Sequence, residues 1–387
     1  MREKFNKNIE AIAVSDIRQF DSEVSQIDSI IKLTLGEPDF NTPEHVKQAA
    51  IKAINDNQSH YTPNSGIMEL RKAAATYFKD KYELDYAPEQ VITTVGATEA
   101  IAASLQTILN PGDEVLMPTP VFPIYAPISS LNGATVTQID TSDDGFVLTP
   151  EKLRAHLEAD KDQKIKAVVL VYPSNPTGAT YTKEQLKALA EVVKEYDIWA
   201  LCDEVYAELT YEGKHHSLAN YAPDNTIVIS GLSKSHAMTG WRLGFILGPK
   251  DFSEQVVKAH QYMVTAPTTN VQYAALEAVT KGKDDALEMK EEYRKRRDFM
   301  HKSLEESGFE VVEPTGAFYL FAKIPQNFAN DSWAFVRALA KEAKVALIPG
   351  VSFGKGGEGY VRLSYAASME QLQEAAKRIQ RFVDEHK

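Results

Sequence analysis

Residues 166–178 read KAVVLVYPSNPTG, a nearly uninterrupted apolar run that ends in a polar turn. A β-rich run without an alternating polar face is typical of a strand that is covered on both faces, as in a parallel sheet packed between helices. Shorter runs of the same kind occur at 91–95, 114–117, 199–202 and 226–230. Together these runs predict the central strands of one sheet.

Helical patterns separate these strands along the chain. We predict helices over 98–109 and 183–195, and residues 110–113, NPGD, form a typical turn between the first helix and the next strand. Strands that alternate with helices of this length indicate βαβ units, whose strands run parallel. The expected fold class is therefore α/β, with a mostly parallel sheet covered by helices.

The pattern changes near residue 285, where a long charged helical segment begins. We predict helices over 285–307, 331–343 and 369–385, and short strands over 318–321, 345–348 and 360–363. These elements indicate a smaller α+β layer, and the first 45 residues lack the rhythm of the sheet. We therefore expect a large domain of residues 46–285 and a small domain built from residues 1–45 plus 286–387.

Composition and charge exclude several classes of protein. The 387 residues are 43% hydrophobic and 25% charged, as in ordinary globular proteins, and the net charge of −12 argues against binding nucleic acid or a membrane through bulk charge. A single cysteine, Cys202, rules out an internal disulfide and any multi-cysteine metal site. The nine histidines have no metal-ligand spacing, so no metal site is expected.

Segments that direct or anchor a protein are not expected either. Residues 1–7, MREKFNK, are not followed by the apolar region of a secretory signal, and no apolar run is long enough to span a membrane. The sparing use of cysteine suits a reducing compartment. We therefore expect a cytoplasmic protein.

Polar residues follow the predicted strands at their carboxyl ends, where open α/β sheets bind their ligands. Asn175, Asp203 and Lys234 each come shortly after a different strand, and Tyr206 follows Asp203. Gly96 follows another strand and opens a helix. An amine, a carboxylate, a phenol and an amide beside such a helix suit one cofactor, pyridoxal 5'-phosphate.

Each of these groups has a chemical reason to be there. The Lys234 amine would bind the cofactor aldehyde covalently, which requires loss of its proton, and once freed it would act as the base at the substrate α-carbon. Asp203 would face the pyridine nitrogen and keep it protonated, so that the ring can accept electrons. Tyr206 and Asn175 would donate to the phenolic oxygen of the ring.

The phosphate group of the cofactor needs donors of its own. Gly96, Ala97 and Thr98 begin a predicted helix, whose free backbone N–H groups favour an anion. Arg242 follows the candidate lysine by eight residues and is a natural phosphate partner. These four residues form the predicted phosphate site.

Residues 230–244, SGLSKSHAMTGWRLG, resemble the lysine signature of the class I/II aminotransferases, which are fold-type I pyridoxal-phosphate enzymes. Five further segments resemble motifs of that family in the family's order: LGEPDF at 35–40, YTP at 61–63, NPTG at 175–178, DEVY at 203–206 and VRLS at 361–364. The resemblance covers nearly the whole chain. It implies the pyridoxal-phosphate transferase fold, with a mostly parallel seven-stranded sheet in the large domain and a smaller α+β domain.

The resemblance also implies roles in binding the substrate and the ring of the cofactor. Arg362 resembles the arginine that clamps the substrate α-carboxylate, a task suited to the two-pronged guanidinium group. Gly36 and Asn175 resemble its helpers. Phe122 resembles the aromatic residue that stacks on the pyridine ring, and Tyr125 is the nearby alternative.

Two implied features concern the phosphate. Tyr61 resembles the tyrosine that reaches the phosphate of the neighbouring subunit, which implies a homodimer with shared active sites. Many relatives carry Ser or Thr three residues before the lysine, where this chain has Gly231. Thr98 and Ser233 are the candidates to supply the missing hydroxyl.

The function implied by the resemblance is transfer of an amino group from an L-amino acid to a 2-oxo acid such as 2-oxoglutarate. The chain resembles two groups, the aromatic amino-acid aminotransferases of Gram-positive bacteria and the N-acetyl-L,L-diaminopimelate aminotransferases of lysine biosynthesis. Candidate pocket residues are apolar in the main and favour the aromatic donor; they are Ile12, Val14, Ile17, Phe20 and the loop 262–270.

Other interpretations remain open at this point. A carbon–sulfur lyase would share the cofactor and the fold, although the lysine motif is closer to that of aminotransferases. A cofactor-binding transcriptional regulator would need an added helix-turn-helix segment, and only about 30 residues precede the 35–40 motif. The basic run 294–297, RKRR, is predicted to be a solvated helix face, and the histidines at 215–216 to lie in a loop.

Overall fold

The computed structural model describes residues 4–387. Residues 1–3 of the N-terminal segment 1–7 therefore lie outside the described part. The helices in chain order are α1 (Lys7–Glu10), α2 (Asp16–Val24), α3 (Glu44–Asn55), α4 (Met68–Tyr82), α5 (Gly96–Ile108), α6 (Tyr125–Leu131), α7 (Pro150–Ala159), α8 (Lys183–Glu195), α9 (Lys250–Val264), α10 (Thr269–Thr280), α11 (Ala286–Glu306), α12 (Ser332–Glu342) and α13 (Met369–Glu385).

The strands are β1 (Ile31–Lys32), β2 (Val91–Thr94), β3 (Glu114–Thr119), β4 (Thr135–Asp140), β5 (Ile165–Val171), β6 (Trp199–Asp203), β7 (Thr226–Gly231), β8 (Gly244–Leu247), β9 (Glu310–Val311), β10 (Tyr319–Lys323), β11 (Val345–Ala346), β12 (Ile348–Pro349) and β13 (Tyr360–Ser364).

Seven strands form the central sheet in the order β2-β8-β7-β6-β5-β3-β4. Neighbouring strands run parallel everywhere except at β8, which is antiparallel to both β2 and β7. The predicted α/β fold with a mostly parallel, helix-covered sheet is confirmed. The strands β4 and β8 were not predicted from the sequence.

Both faces of this sheet are covered, which explains the continuous apolar character of β5. Val169 belongs to a cluster of buried side chains that includes Leu105 of α5, whereas Val168 and Leu170 belong to another cluster that includes Leu189 of α8. Successive side chains of a strand point to opposite faces, so these two clusters lie on the two sides of the sheet.

Helix α8 shows how local signals fix the boundary of an element. The Thr182 hydroxyl accepts a hydrogen bond from the backbone N–H of Gln185 at 3.2 Å, and the Gln185 amide oxygen accepts from the Thr182 N–H at 2.8 Å. This reciprocal capping box satisfies two helix-end donors. The helix therefore begins at Lys183, as the sequence predicted.

A second, antiparallel sheet has the order β12-β13-β10-β9, and a separate parallel pair joins β1 to β11. The strand predicted over 345–348 is divided between the two, since β11 pairs with β1 and β12 pairs with β13. The N-terminal residues therefore contribute a short strand that the sequence did not indicate.

The N-terminal and C-terminal parts of the chain share one cluster of buried apolar side chains. Phe20 and Val24 of α2 belong to it, together with Leu339 of α12 and Phe382 of α13. The division into a large domain of residues 46–285 and a small domain of residues 1–45 plus 286–387 stays a prediction.

The basic run 294–297 was predicted to be a solvated helix face, but half of it is buried. Arg296 and Arg297 are only 6% and 8% exposed. Arg296 donates to Asp39 and Arg297 to Asp298. The prediction of a solvated face was wrong for both residues. Arg296 pairs with Asp39, which is far away in sequence, and Arg297 also donates to the Pro314 carbonyl, so no local pattern indicated either burial. Within residues 4–387, no helix combines the length and the apolar character needed to cross a membrane.

Candidate active site

The carboxyl ends of three adjacent parallel strands bring the predicted residues to one edge of the sheet. Asn175 follows β5, Asp203 ends β6 and Lys234 follows β7. Both β2 and β7 are antiparallel to β8, so β2 runs in the same direction as β7. Gly96, at the start of α5 after β2, therefore lies at this edge too. The topology thus gathers residues that are far apart in sequence.

Lys234 lies at the centre of the site and is half buried. Its Nζ donates to the carbonyl oxygen of Gly36 at 2.5 Å and lies 5.6 Å from the ring centroid of Tyr206. Burial lowers the pKa of the Lys234 amine to about 8, although the carboxylates of Glu37 and Asp203 oppose this shift. The amine is therefore much easier to deprotonate than an ordinary lysine.

Asp203 is a buried carboxylate with two fixed hydrogen bonds. Its Oδ2 accepts from the Tyr125 hydroxyl at 2.7 Å, and its Oδ1 accepts from the backbone N–H of Val205 at 3.2 Å. Burial raises the pKa of Asp203, while the hydrogen bond from Tyr125 acts in the opposite direction. The negative charge of Asp203 also acts on Lys234, so both groups share one electrostatic environment.

Phe122 and Tyr125 occupy different environments. Tyr125 is fully buried, and its hydroxyl is committed to Asp203. Phe122 remains 36% exposed. Of the two rings, only that of Phe122 is open enough to stack on a planar ligand, which favours it for that role.

Tyr206 is held by a residue that sequence reasoning missed. Its hydroxyl shares a 2.7 Å hydrogen bond with the hydroxyl of Tyr319 on β10. A Cβ placed on Gly36 would overlap the Tyr319 hydroxyl, so only glycine fits beside it. Residue 319 lies within a predicted strand and belongs to no local motif, so no pattern in the sequence points to this role.

Arg362 is buried and held along one edge of its guanidinium group. One terminal nitrogen donates to the Asn175 side-chain oxygen at 2.9 Å, and the other donates to the carbonyl oxygen of Thr34. The group also lies over the rings of Tyr319 and Phe353, at 4.7 and 5.0 Å. Its Nε has no hydrogen-bond partner although it is buried. A buried donor without a partner is costly, so this nitrogen suits a bound carboxylate.

Arg242 and the start of α5 form the predicted phosphate site. A Cβ on Gly96 would lie 2.6 Å from a terminal nitrogen of Arg242, so the guanidinium group rests directly on this glycine. Arg242 donates to the carbonyl oxygen of Thr239 at 2.8 Å and is exposed. Thr98 is exposed in the first turn of the helix. A cationic group beside free helix N–H groups suits a phosphate.

The structure gives a physical reason for Gly231. A Cβ there would lie 2.9 Å from the carbonyl oxygen of Leu243, because Gly231 is paired with Gly244 across β7 and β8. A larger residue would push the two strands apart. Ser233, one candidate for the missing hydroxyl, is buried two residues further on.

Tyr61 does not join this group of residues within one chain and is 92% exposed. Its segment is tied to α5 through His260, whose Nε2 donates to the Asn64 carbonyl at 2.7 Å and whose Nδ1 pairs with Glu99 at 3.0 Å. Burial alone would lower the pKa of His260, but the hydrogen bond with Glu99 raises it above the usual value. The segment that carries Tyr61 is therefore anchored beside the phosphate site.

A second buried network lies beneath Asp203 and was also missed. Glu204 accepts hydrogen bonds from Tyr172 at 2.9 Å and Ser217 at 2.6 Å, and it pairs with His215 at 2.8 Å. His215 lies in a loop, as predicted, and is buried there. This network fixes the backbone next to Asp203.

Two of the candidate pocket residues are not free to line a pocket. Ile17 and Phe20 are buried in the cluster that contains the C-terminal helices. Val14 is exposed, and Tyr262 is exposed in the last turn of α9 rather than in a loop.

Comparison with known proteins identifies the class of protein that this fold and site define. The family model for aminotransferases of class I and II matches residues 28–379, which is most of the chain. The chain belongs to this family of enzymes.

Similar proteins act on different amino acids. A Bacillus subtilis (strain 168) protein named probable N-acetyl-LL-diaminopimelate aminotransferase is 49% identical over 384 residues, covering 99% of this chain and 96% of that protein. The aromatic-amino-acid aminotransferase 2 of Thermococcus litoralis is 40% identical over 386 residues, covering 98% of each. The solved aspartate aminotransferase of Thermus thermophilus with maleate has a TM-score of 0.92 at 37% identity, covering 99% of this chain and all of that one.

Aminotransferases of this kind use pyridoxal 5'-phosphate, and the residues present fit that group. Lys234 has an amine that deprotonates near neutral pH, and Asp203 is a buried acid within its electrostatic reach. Gly96 leaves room for Arg242 at the start of α5, where the phosphate would be held. The chain is accordingly an aminotransferase that uses this cofactor.

Proposed function

We propose that this enzyme transfers the amino group of an aromatic L-amino acid to a 2-oxo acid such as 2-oxoglutarate. The choice of an aromatic amino donor rests on one observation. Leu35 is 50% exposed immediately beside Gly36, whose carbonyl contacts the Lys234 amine. A large apolar side chain at the edge of the site offers a surface for an apolar substrate side chain.

Lys234 is the proposed catalytic residue. When bound, pyridoxal phosphate supplies an aldehyde for the amino group and a ring that accepts electrons. The Lys234 amine would hold the cofactor and, in its free form, would take the proton from the substrate α-carbon. Its lowered pKa supports this role, because a base must be unprotonated to act.

Asp203 and Tyr206 are proposed to act on the ring of the cofactor. Asp203 would keep the pyridine nitrogen protonated, and the Tyr125 hydrogen bond helps this carboxyl group to stay ionised in spite of its burial. The Tyr206 hydroxyl, which is shared with Tyr319, would donate to the phenolic oxygen. Phe122 would stack on the ring.

Arg362 is proposed to bind the α-carboxylate of the amino donor and of the 2-oxo acid. Asn175 fixes one edge of the guanidinium group, so the group is oriented before the substrate arrives. Preorganisation of this kind reduces the entropy lost on binding. Gly36 has no side chain and so leaves room for the Tyr319 hydroxyl, which a Cβ at that position would overlap.

A second candidate donor is N-acetyl-L,L-diaminopimelate. It is favoured by the relative that is 49% identical over nearly the whole chain and is named a probable N-acetyl-LL-diaminopimelate aminotransferase. The two donors differ in charge at the far end of the side chain, where N-acetyl-diaminopimelate has a second carboxylate. They can therefore be separated directly by activity.

The amino donor is tested with the cofactor-loaded enzyme, 2-oxoglutarate and one amino acid at a time, with glutamate formation as the measurement. Phenylalanine and tyrosine are expected to be the best donors. A kcat/KM for N-acetyl-L,L-diaminopimelate well above that for either aromatic amino acid would refute the aromatic proposal. Release of pyruvate from cystathionine would instead indicate the carbon–sulfur lyase.

We also propose a homodimer in which Tyr61 reaches the phosphate site of the partner subunit. The exposure of Tyr61 supports this proposal, since its ring has no packing partner within residues 4–387 of its own chain and is free to contact a partner subunit. A cytoplasmic location is part of the proposal as well, and Cys202, a buried free thiol, suits it.

Mixed dimers test whether Tyr61 acts across the subunits. Dimers formed from one Tyr61→Phe chain and one Lys234→Ala chain contain one site with both native residues if Tyr61 comes from the partner. That site is expected to bind the cofactor as tightly as in the native enzyme. If the site that retains Lys234 has the weakened affinity of the Tyr61→Phe homodimer, Tyr61 acts within its own chain.

A further inference from the structure

We propose that Arg296 is a positioning residue, which holds residues 35–40, here called the Gly36 loop, over the amine of Lys234 through an ion pair with Asp39. The inference deepens the proposed function and rests on Lys234 being the catalytic lysine. Arg296 belongs to the basic run that was expected to face solvent.

The ion pair is close and is directed at the loop. One terminal nitrogen of Arg296 donates to both carboxylate oxygens of Asp39, at 2.8 and 2.9 Å. The Tyr293 hydroxyl adds a longer contact to Asp39, at 3.4 Å. Three residues before Asp39 in the same loop, the Gly36 carbonyl accepts from Lys234 at 2.5 Å. A shift of Asp39 would therefore move the carbonyl that faces the amine.

Arg296 is itself locked in place. It is 6% exposed, its Nε donates to Glu292 at 3.1 Å, and its guanidinium group lies 5.3 Å from the ring of Phe40 and 5.6 Å from that of Tyr293. Phe40 and Tyr293 contact each other edge to face at 5.4 Å. A buried cation with this many partners has one position, so it transmits the position of α11 to the loop.

Glu37 within the loop and Thr42 just beyond it contact the segment that carries the lysine. The Thr42 hydroxyl donates to the carbonyl of Ala237 at 2.7 Å, and the Trp241 indole N–H donates to Thr42 at 3.1 Å. Glu37 accepts from the Thr239 hydroxyl. The Gly36 loop thus bridges the lysine segment on one side and helix α11 on the other, with Arg296 as its hold on the helix.

Arg297 provides a matched control on the same helix. It is 8% exposed, pairs with Asp298 at 2.8 Å, donates to the Pro314 carbonyl at 3.2 Å and lies over the ring of Tyr211. None of these partners belongs to the Gly36 loop. Replacement of Arg297 therefore measures how much stability is lost when a buried arginine of α11 is disturbed without moving the loop.

The experiment compares Arg296→Lys, Asp39→Asn, the double variant and Arg297→Lys as cofactor-loaded enzymes. Lysine keeps the charge but cannot reproduce the planar guanidinium contacts. The loop also carries Gly36 and Leu35, which the proposed function places at the substrate site. We therefore expect Arg296→Lys to raise KM for both amino donor and 2-oxo acid about tenfold, with kcat changed less. The double variant should be no worse than Arg296→Lys alone, because both changes break the same pair.

The control separates positioning from stability. Arg297→Lys is expected to lower the melting temperature as much as Arg296→Lys while leaving both KM values unchanged. Equal KM values for the two variants, or additive effects of Arg296→Lys and Asp39→Asn, would overturn the proposal. Failure of the proposed function would look different, since the native enzyme would then transfer no amino group from an aromatic donor in the same assay.

Discussion

The Lys234 amine is expected to titrate near pH 8, far from the behaviour of an exposed lysine. Its surroundings explain the shift, because burial disfavours the charged form more than the carboxylates of Glu37 and Asp203 favour it. Arg242 and Arg362 add to the depression of the pKa through their positive charges. The protonation of Lys234 is therefore measured as a function of pH, first in the native enzyme and then in variants that lack one neighbouring charge.

The magnitude follows from the two pKa values. Burial lowers the pKa from 10.5 to about 8. A difference of about 2.5 units makes the unprotonated fraction at pH 7 about 300-fold larger, so that roughly one amine in ten is ready to react rather than one in three thousand. This larger unprotonated fraction is present before any substrate binds.

Competitive labelling of the cofactor-free enzyme with an amine-reactive reagent measures the titration. The labelled peptide that contains Lys234 is quantified by mass spectrometry between pH 6 and pH 11, roughly spanning the shifted and ordinary values. Glu37→Gln removes a negative charge that favours the protonated amine, so the midpoint should fall below that of the native enzyme. Arg242→Gln removes a positive charge, so the midpoint should rise.

A lysine model compound labelled in the same sample acts as the reference, with the midpoint of an ordinary amine, about 10.4. A Lys234 midpoint equal to that of the reference would refute the account of its burial. Midpoints that move in the opposite directions in the two variants would refute the electrostatic assignment.

Three further changes test other parts of the site. Arg362→Ala removes the proposed carboxylate clamp and should raise KM for both substrates about 100-fold in steady-state assays; unchanged KM values would contradict that role. Tyr125→Phe keeps the ring but removes the hydrogen bond to Asp203, which should further raise the pKa of that carboxyl and weaken cofactor binding about tenfold in an absorbance titration, and native affinity would count against it. Gly231→Ser would crowd the carbonyl of Leu243 and should lower the melting temperature by about 2–6 °C without tightening cofactor binding; tighter binding in an equally stable enzyme would reject this reading.

The central sheet was predictable because its signals are local. The apolar run at β5 matched a strand covered on both faces, and the capping box at Thr182 matched the start of α8. The order of the chemical residues was also readable, since Asn175, Asp203 and Lys234 each follow a strand. Parallel strands then bring such residues to one edge by topology alone.

What could not be predicted depends on contacts between distant parts of the chain. β4 lies at the edge of the sheet with only one buried residue, so it lacks the apolar run of the central strands. β8 has four residues and opens with a glycine, which weakens a strand signal. The interaction of Tyr319 with Tyr206 joins residues 113 positions apart, and no local pattern specifies such a partner.

The residues that select the amino donor were the hardest part of the site to predict from local sequence. Ile17 and Phe20 were candidate pocket residues because they are apolar and lie near the start of the chain, yet both pack into the core of the small sheet and its helices. The apolar character of a residue does not distinguish a core position from a binding surface. Leu35, which is exposed beside the site, was part of a motif and was not considered for this role.

The most direct test of the central claim is a single-turnover experiment on the cofactor-loaded enzyme without a 2-oxo acid. One amino acid at a time is mixed with the enzyme, and the absorbance of the bound cofactor is followed. We predict rapid conversion to the aminated form of the cofactor with phenylalanine or tyrosine, none with N-acetyl-L,L-diaminopimelate, and none with any donor in Lys234→Ala. Conversion by N-acetyl-L,L-diaminopimelate alone, or conversion by Lys234→Ala at the native rate, would contradict the account.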